Sequence, residues 1–150
     1  MADKGARFRD ALIREIDSWN EGIEILKEKP VGFRFVNTPR NIDILLRKED
    51  RYLGIEAKYQ ETSGSSYQKL SYTLEDCRSC PIPAIIVFAS KGNVIKEDMK
   101  SKLILSGIGI EVSFNFDESN QENDAIEDQY KLLRQRVYIE LGLDWFKLYK

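Results

Sequence analysis

Apolar and polar residues alternate twice in quick succession between Ile42 and Lys58, with the charged patch Lys48-Glu49-Asp50 between the two runs. Alternation with a period of two is the mark of a half-buried strand, so the stretch predicts a β-hairpin. Upstream, from about Ala6 to Leu26, Phe8, Leu12, Ile16, Trp19, Ile23 and Leu26 recur at helical spacing and predict one amphipathic helix. Pro30 to Gly32 break the chain, Phe33 to Val36 read as a first strand, and Thr38-Pro39 turns into the hairpin. A polar loop, Tyr59 to Ser66, follows the hairpin, and a helix from about Ser65 to Cys77 buries Tyr67, Leu70, Leu74 and Cys77. Ala84 to Phe88 is a continuous apolar run, the pattern of a central strand covered on both faces. Lys96 to Leu105 reads as a short helix, Ile108 to Phe116 as a strand, and Asp117 to Asp124 as an exposed acidic loop. Ile126, Tyr130, Leu133 and Val137 stripe a last helix, after which Leu143, Trp145, Phe146 and Leu148 are expected to finish the core.

A chain of 150 residues with 42% hydrophobic and 32% charged content is expected to form a single domain, 1–150, with a C-terminal helical extension from about residue 124. No apolar run approaches a membrane span and the N-terminus lacks a signal-peptide core, so the expected location is the cytoplasm, with no membrane partner. The net charge of −2 neither advertises nor excludes a nucleic-acid partner. The absence of histidine is more informative: it removes Ser-His-Asp and Cys-His catalysis and leaves any metal to oxygen ligands, which favours Mg²⁺ or Mn²⁺. Cys77 and Cys80 cannot complete a four-ligand zinc site, because no histidine or further cysteine exists. They read as buried or incidental thiols.

If the hairpin turns at Glu49-Asp50, Lys48 pairs Arg51 and Asp43 lies opposite Glu56. Opposed side chains have Cβ atoms ~4.5–5.5 Å apart, so the two carboxylates repel unless a cation lies between them. Lys58, two residues beyond Glu56, projects to the same face. On the first helix, Glu15 projects inside the apolar stripe and must be paired there or serve as a further metal ligand.

Asp43 followed by Glu56-Ala57-Lys58 resembles the signature of the PD-(D/E)XK nuclease superfamily, with Ile42 where the family often has proline. One element later, Gln68-Lys69-Leu70-Ser71-Tyr72 resembles the Gln-x-x-x-Tyr motif of RecB-type members. Gly5-Ala6-Arg7-Phe8 matches the opening of the family's first-helix pattern, but Arg9 stands at the glutamate position, which leaves Glu15 as the helix ligand preferred on geometry. The resemblance covers about Gly5 to Val112 and implies an α/β fold with the restriction-endonuclease-like αβββαβ core, a mixed central sheet flanked by helices.

It also implies a metal-dependent nuclease acting on DNA. Asp43, Glu56 and the Ala57 carbonyl would hold Mg²⁺ or Mn²⁺, Lys58 would orient the nucleophile and stabilise the transition state, and Gln68 and Tyr72 would position substrate or water. The competing reading is a catalytically inactive nuclease-fold protein that binds nucleic acid or serves assembly. A third is a surface patch of ion pairs on an unrelated α/β protein. In a chain this small, sequence-specific cleavage would require a homodimer or recruitment by a partner protein.

Overall fold

Helix α1 spans Lys4–Asp17 and stops well before its apolar stripe does. Phe8, Ala11, Leu12 and Ile16 are its buried residues. Beyond it Ser18 donates its hydroxyl to the Glu15 carbonyl at 2.6 Å, and Asn20 (φ 54°) and Gly22 (φ 68°) reverse the chain. The next element, β1, is Glu24–Phe33. Ile23 and Leu26, expected on the helix, therefore lie beyond it, because a left-handed turn ended the helix where periodicity alone continued it. The first strand correspondingly starts nine residues earlier than the sequence pattern indicated. It includes Pro30, which an edge strand tolerates because no outer neighbour needs the missing N–H.

The computed structural model describes residues 4–33, 38–60, 66–90, 95, 97–114 and 127–149. Strands β2 (Pro39–Lys48) and β3 (Arg51–Gln60) form the expected hairpin, with Lys48 opposite Arg51 and Glu49 at φ 57° in the two-residue turn. Helix α2 (Ser66–Arg78), strand β4 (Ala84–Ser90), helix α3 (Glu97–Leu105) and strand β5 (Gly109–Glu111) follow. Helix α4 (Glu127–Leu141) and a short 3-10 helix, Trp145–Tyr149, close the described chain. The expected acidic loop lies outside the described residues.

The sheet order is β1-β2-β3-β4-β5. β1, β2 and β3 run antiparallel, whereas β3, β4 and β5 run parallel. The parallel pairs require crossovers, which α2 and α3 supply. This is the mixed, helix-flanked sheet of a restriction-endonuclease-like fold.

Two cores lie on the two faces of the sheet. On one face α1 and α4 cover Ile44, Leu46, Leu53, Ile55, Ala57, Ile85 and Val87. On the other, α2 and α3 cover Ala84, Ile86 and Phe88 with Leu70, Leu74, Met99 and Leu103. Strand β4 contributes alternate residues to both clusters, as its unbroken apolar run demanded. Leu133, Val137, Tyr138 and Leu141 bring α4 into the same cluster as α1. Strand β5 is shorter than expected, but Val112 and Phe114 beyond it are buried in the α1-side core. Trp145 and Phe146 remain 40% and 60% exposed and do not finish the core. Leu143 and Leu148 pack against it instead.

At Gly109 the parallel crossover from α3 passes so closely that a Cβ would lie 2.7 Å from the Leu103 carbonyl oxygen. Since backbone cannot yield as a flexible side chain does, Gly109→Ala should cost about 1–3 kcal/mol, measured as a drop in the denaturant midpoint at unchanged slope.

Candidate active site

Strand β3 sorts its side chains by alternation. Leu53, Ile55 and Ala57 enter the α1-side core, so Glu56 and Lys58 project to the α2 side. Glu56 is 3% exposed, an expensive place for a carboxylate unless charge compensates it. Glu56 and Lys58 line a cleft of about 460 Å³ with Lys69, Tyr72 and Asp76 of α2. Tyr72 is 44% exposed at its mouth. Gln68 lies one helical turn before Tyr72, but its side chain lies outside the described residues.

Asp43 bonds strand β3 where the β2–β3 pairing ends. The β2–β3 pairing runs in the expected register from Lys48–Arg51 to Ile44–Ile55 and ends one step short of Asp43–Glu56. The Ala57 amide donates to Asp43 Oδ2 at 2.9 Å instead of to a backbone carbonyl. On the other side the β1–β2 pairing steps from Lys27–Ile44 to Lys29–Ile42, with Glu28 between them at φ 54°. Strand alternation also changes phase here. Ile44 enters the α1-side core, whereas Ile42 lies on the α2 side, 3.3 Å from where a Cβ on Gly54 would stand. Arg40, two residues further back, reaches α2 as well. Irregularities of this kind re-aim a side chain beside a site. Sequence alternation puts Asp43 opposite Glu56, whereas the pairing ends one step before that position.

Glu15 is not brought to this site. It lines a separate cleft with Trp19, Tyr130, Lys131 and Arg134. Helix α1 packs on the opposite face of the sheet from Glu56 and Lys58. The apolar stripe aims this carboxylate toward the sheet, but periodicity does not say on which face α1 packs. Arg9 is engaged elsewhere, with Asp10 at 3.3 Å and Glu28 at 2.7 Å.

Two buried polar residues that sequence reasoning missed are Arg40 and Asp76. Arg40 Nη2 lies 2.8 Å from Asp76 Oδ1 and also donates to Ser79 Oγ at 3.2 Å, while Nη1 donates to the Val31 carbonyl at 3.1 Å. The hydrogen bond to Asp76 holds the guanidinium above its ordinary pKa. Neither residue interrupts a periodic pattern strongly enough to have been found from spacing.

Among the described residues no group of three or more acidic, cysteine or histidine side chains converges. Asp43 and Glu56 offer hard oxygen donors, so a divalent cation there would take its remaining ligands from the backbone, water or substrate, a set that fits Mg²⁺ or Mn²⁺.

Cys77 and Cys80 are free thiols. Burial pushes Cys77 up to about 12, helped by the negative charges of Glu56 and Asp76. A thiol so raised stays protonated and inert. Folding therefore favours the protonated form, and that contribution is complete below the ordinary value of 9.0 and fades as pH climbs towards 12. In native protein at pH 8 iodoacetamide should label Cys80 before Cys77, read by peptide mass spectrometry. Any stability advantage over Cys77→Ala should shrink as alkaline pH rises.

A family model described as a PD-(D/E)XK nuclease superfamily domain matches residues 6–104. No curated protein matches the sequence. Among solved structures, Pyrococcus furiosus SfsA in complex with Ca²⁺ is similar at 15% identity and TM-score 0.46, over 81% of this chain. This chain spans 62% of that protein. A protein of unknown function, AF1548, is similar at 14% identity and TM-score 0.50, over 97% of this chain and 92% of its own. These likenesses concern the fold, and the family match rests on the sequence itself, across both α1 and the strands that carry Asp43, Glu56 and Lys58. The chain belongs to the PD-(D/E)XK nuclease superfamily.

Proposed function

We propose that the chain is a divalent-metal-dependent nuclease that hydrolyses phosphodiester bonds in DNA. The observation that supports this reading is a cleft lined by buried Glu56, Lys58 and Tyr72, on the strand that Asp43 bonds at the Ala57 amide. Asp43, Glu56 and the Ala57 carbonyl would hold Mg²⁺ or Mn²⁺. A bound divalent cation supplies Lewis acidity and neutralises charge at the scissile phosphate.

The protein's own groups do the rest. The Asp43–Ala57 bond fixes one carboxylate beside the residue whose carbonyl would be the third donor. Lys58, two residues from Glu56 on the same strand face, places an ammonium where it orients the attacking water and offsets developing negative charge. Tyr72, with Gln68 a turn earlier as in RecB-type members, positions substrate at the mouth. Lys69 adds a cation to the wall that a phosphate backbone would pass. The packing of α4 into the α1-side core supports treating residues 1–150 as one nuclease-like domain. A homodimer or a recruiting partner would supply any sequence specificity.

The test is incubation with supercoiled, linear, branched and single-stranded DNA, with and without Mg²⁺ or Mn²⁺. Wild type should cleave at least one form in a divalent-dependent manner. Asp43→Asn and Glu56→Gln should abolish cleavage, and Lys58→Ala should lower it by about 10²–10³-fold. Glu15→Gln should leave the metal dependence unchanged, because its carboxylate lies across the sheet. No divalent-dependent cleavage of any substrate would favour a binding or assembly role for the fold.

A further inference from the structure

Arg40 is the largest side chain among those less than 2% exposed, and it sits three residues before Asp43 on the same strand. Hiding a guanidinium costs several kcal/mol, and its bonds return that cost only when its donors are satisfied. Three are, by Asp76, Ser79 and the Val31 carbonyl, but the buried Nε finds no acceptor among the described residues. As a device for stability alone the arrangement is a poor one, since apolar residues of similar size would fill the space at least as well.

Its position suits another purpose. The guanidinium ties together β1 through Val31, β2 through its own backbone, and the C-terminal end of α2 through Asp76 and, just beyond the helix, Ser79. These elements flank the irregularity that delivers Asp43. Asp76 lines the cleft with Glu56, and Tyr72 stands one helical turn before it on α2. We propose that Arg40 is a positioning residue: through Asp76 it sets where α2 sits over β2 and β3, and so fixes the spacing between Asp43, Glu56 and Tyr72 that cation and substrate must bridge.

This inference rests on the nuclease reading and extends it to a residue outside the superfamily signature. It also follows from charge. Asp76 is a second carboxylate lining the cleft with Glu56, and the guanidinium opposite offsets it. Removing Arg40 takes away the cation that offsets the Asp76 charge beside Glu56, and the added repulsion displaces the donors.

The test measures Mg²⁺ and Mn²⁺ binding directly by calorimetry, at a temperature where every variant is folded by circular dichroism. Arg40→Lys and Asp76→Asn should each weaken binding by ~10–100-fold, as changes to groups supporting metal ligands do. The decisive variant is the apolar pair Arg40→Met with Asp76→Leu, which should restore stability without restoring metal affinity. Recovery of affinity together with stability, or unchanged affinity in the single variants, would overturn the positioning role alone. Failure of the wild type to bind either metal would overturn the nuclease reading and this inference with it.

Discussion

The bond from the Ala57 amide to Asp43 Oδ2 is the contact on which the candidate site depends. In an unbroken antiparallel pair that amide would meet a backbone carbonyl, and Asp43 would stand on one face of the sheet. Here the ladder ends at Ile44–Ile55 and a carboxylate replaces the carbonyl as acceptor. The exchange satisfies a backbone donor that would otherwise be left open at the break. It also holds Asp43 against the strand that carries Glu56 and Lys58. Burying the Glu56 carboxylate on one face of that strand carries an electrostatic cost.

The rest of the fold supports that cost. Two hydrophobic layers, α1 with α4 on one face and α2 with α3 on the other, clamp β3 and β4 from both sides. The Gly54 site, where Ile42 and Ala84 leave no room to spare, lets β2 approach β3 closely just before the break. Arg40 and Asp76 add a buried polar tie at the open end of the hairpin. The candidate site sits at the margin between the core and the cleft on the α2 side.

Much of this was legible in the sequence because it depends on periodicity. The Lys48–Arg51 register, the doubly buried β4 and the order of elements all follow from spacing of two or of three and four. What periodicity could not give were the effects of single left-handed residues and of which face each helix chose. Asn20 and Gly22 ended α1 early, although Trp19, Ile23 and Leu26 continued its stripe. Glu15 followed the helix to the opposite face from Glu56. Arg40 looked like any charged residue after a turn, since its burial is created by β1 and α2, elements distant in the chain.

We propose that Asp43 and Glu56 share a divalent cation. Thermal unfolding with and without saturating Mn²⁺ tests it most directly, because a ligand bound by the native state alone stabilises it by mass action. Mn²⁺ at 100 times its dissociation constant should stabilise the wild type by about 2.7 kcal/mol and should shift Asp43→Asn and Glu56→Gln much less. Without metal, both variants should unfold no earlier than the wild type, because each removes a repulsive charge while keeping its shape. An equal Mn²⁺ shift in all three proteins would contradict the account.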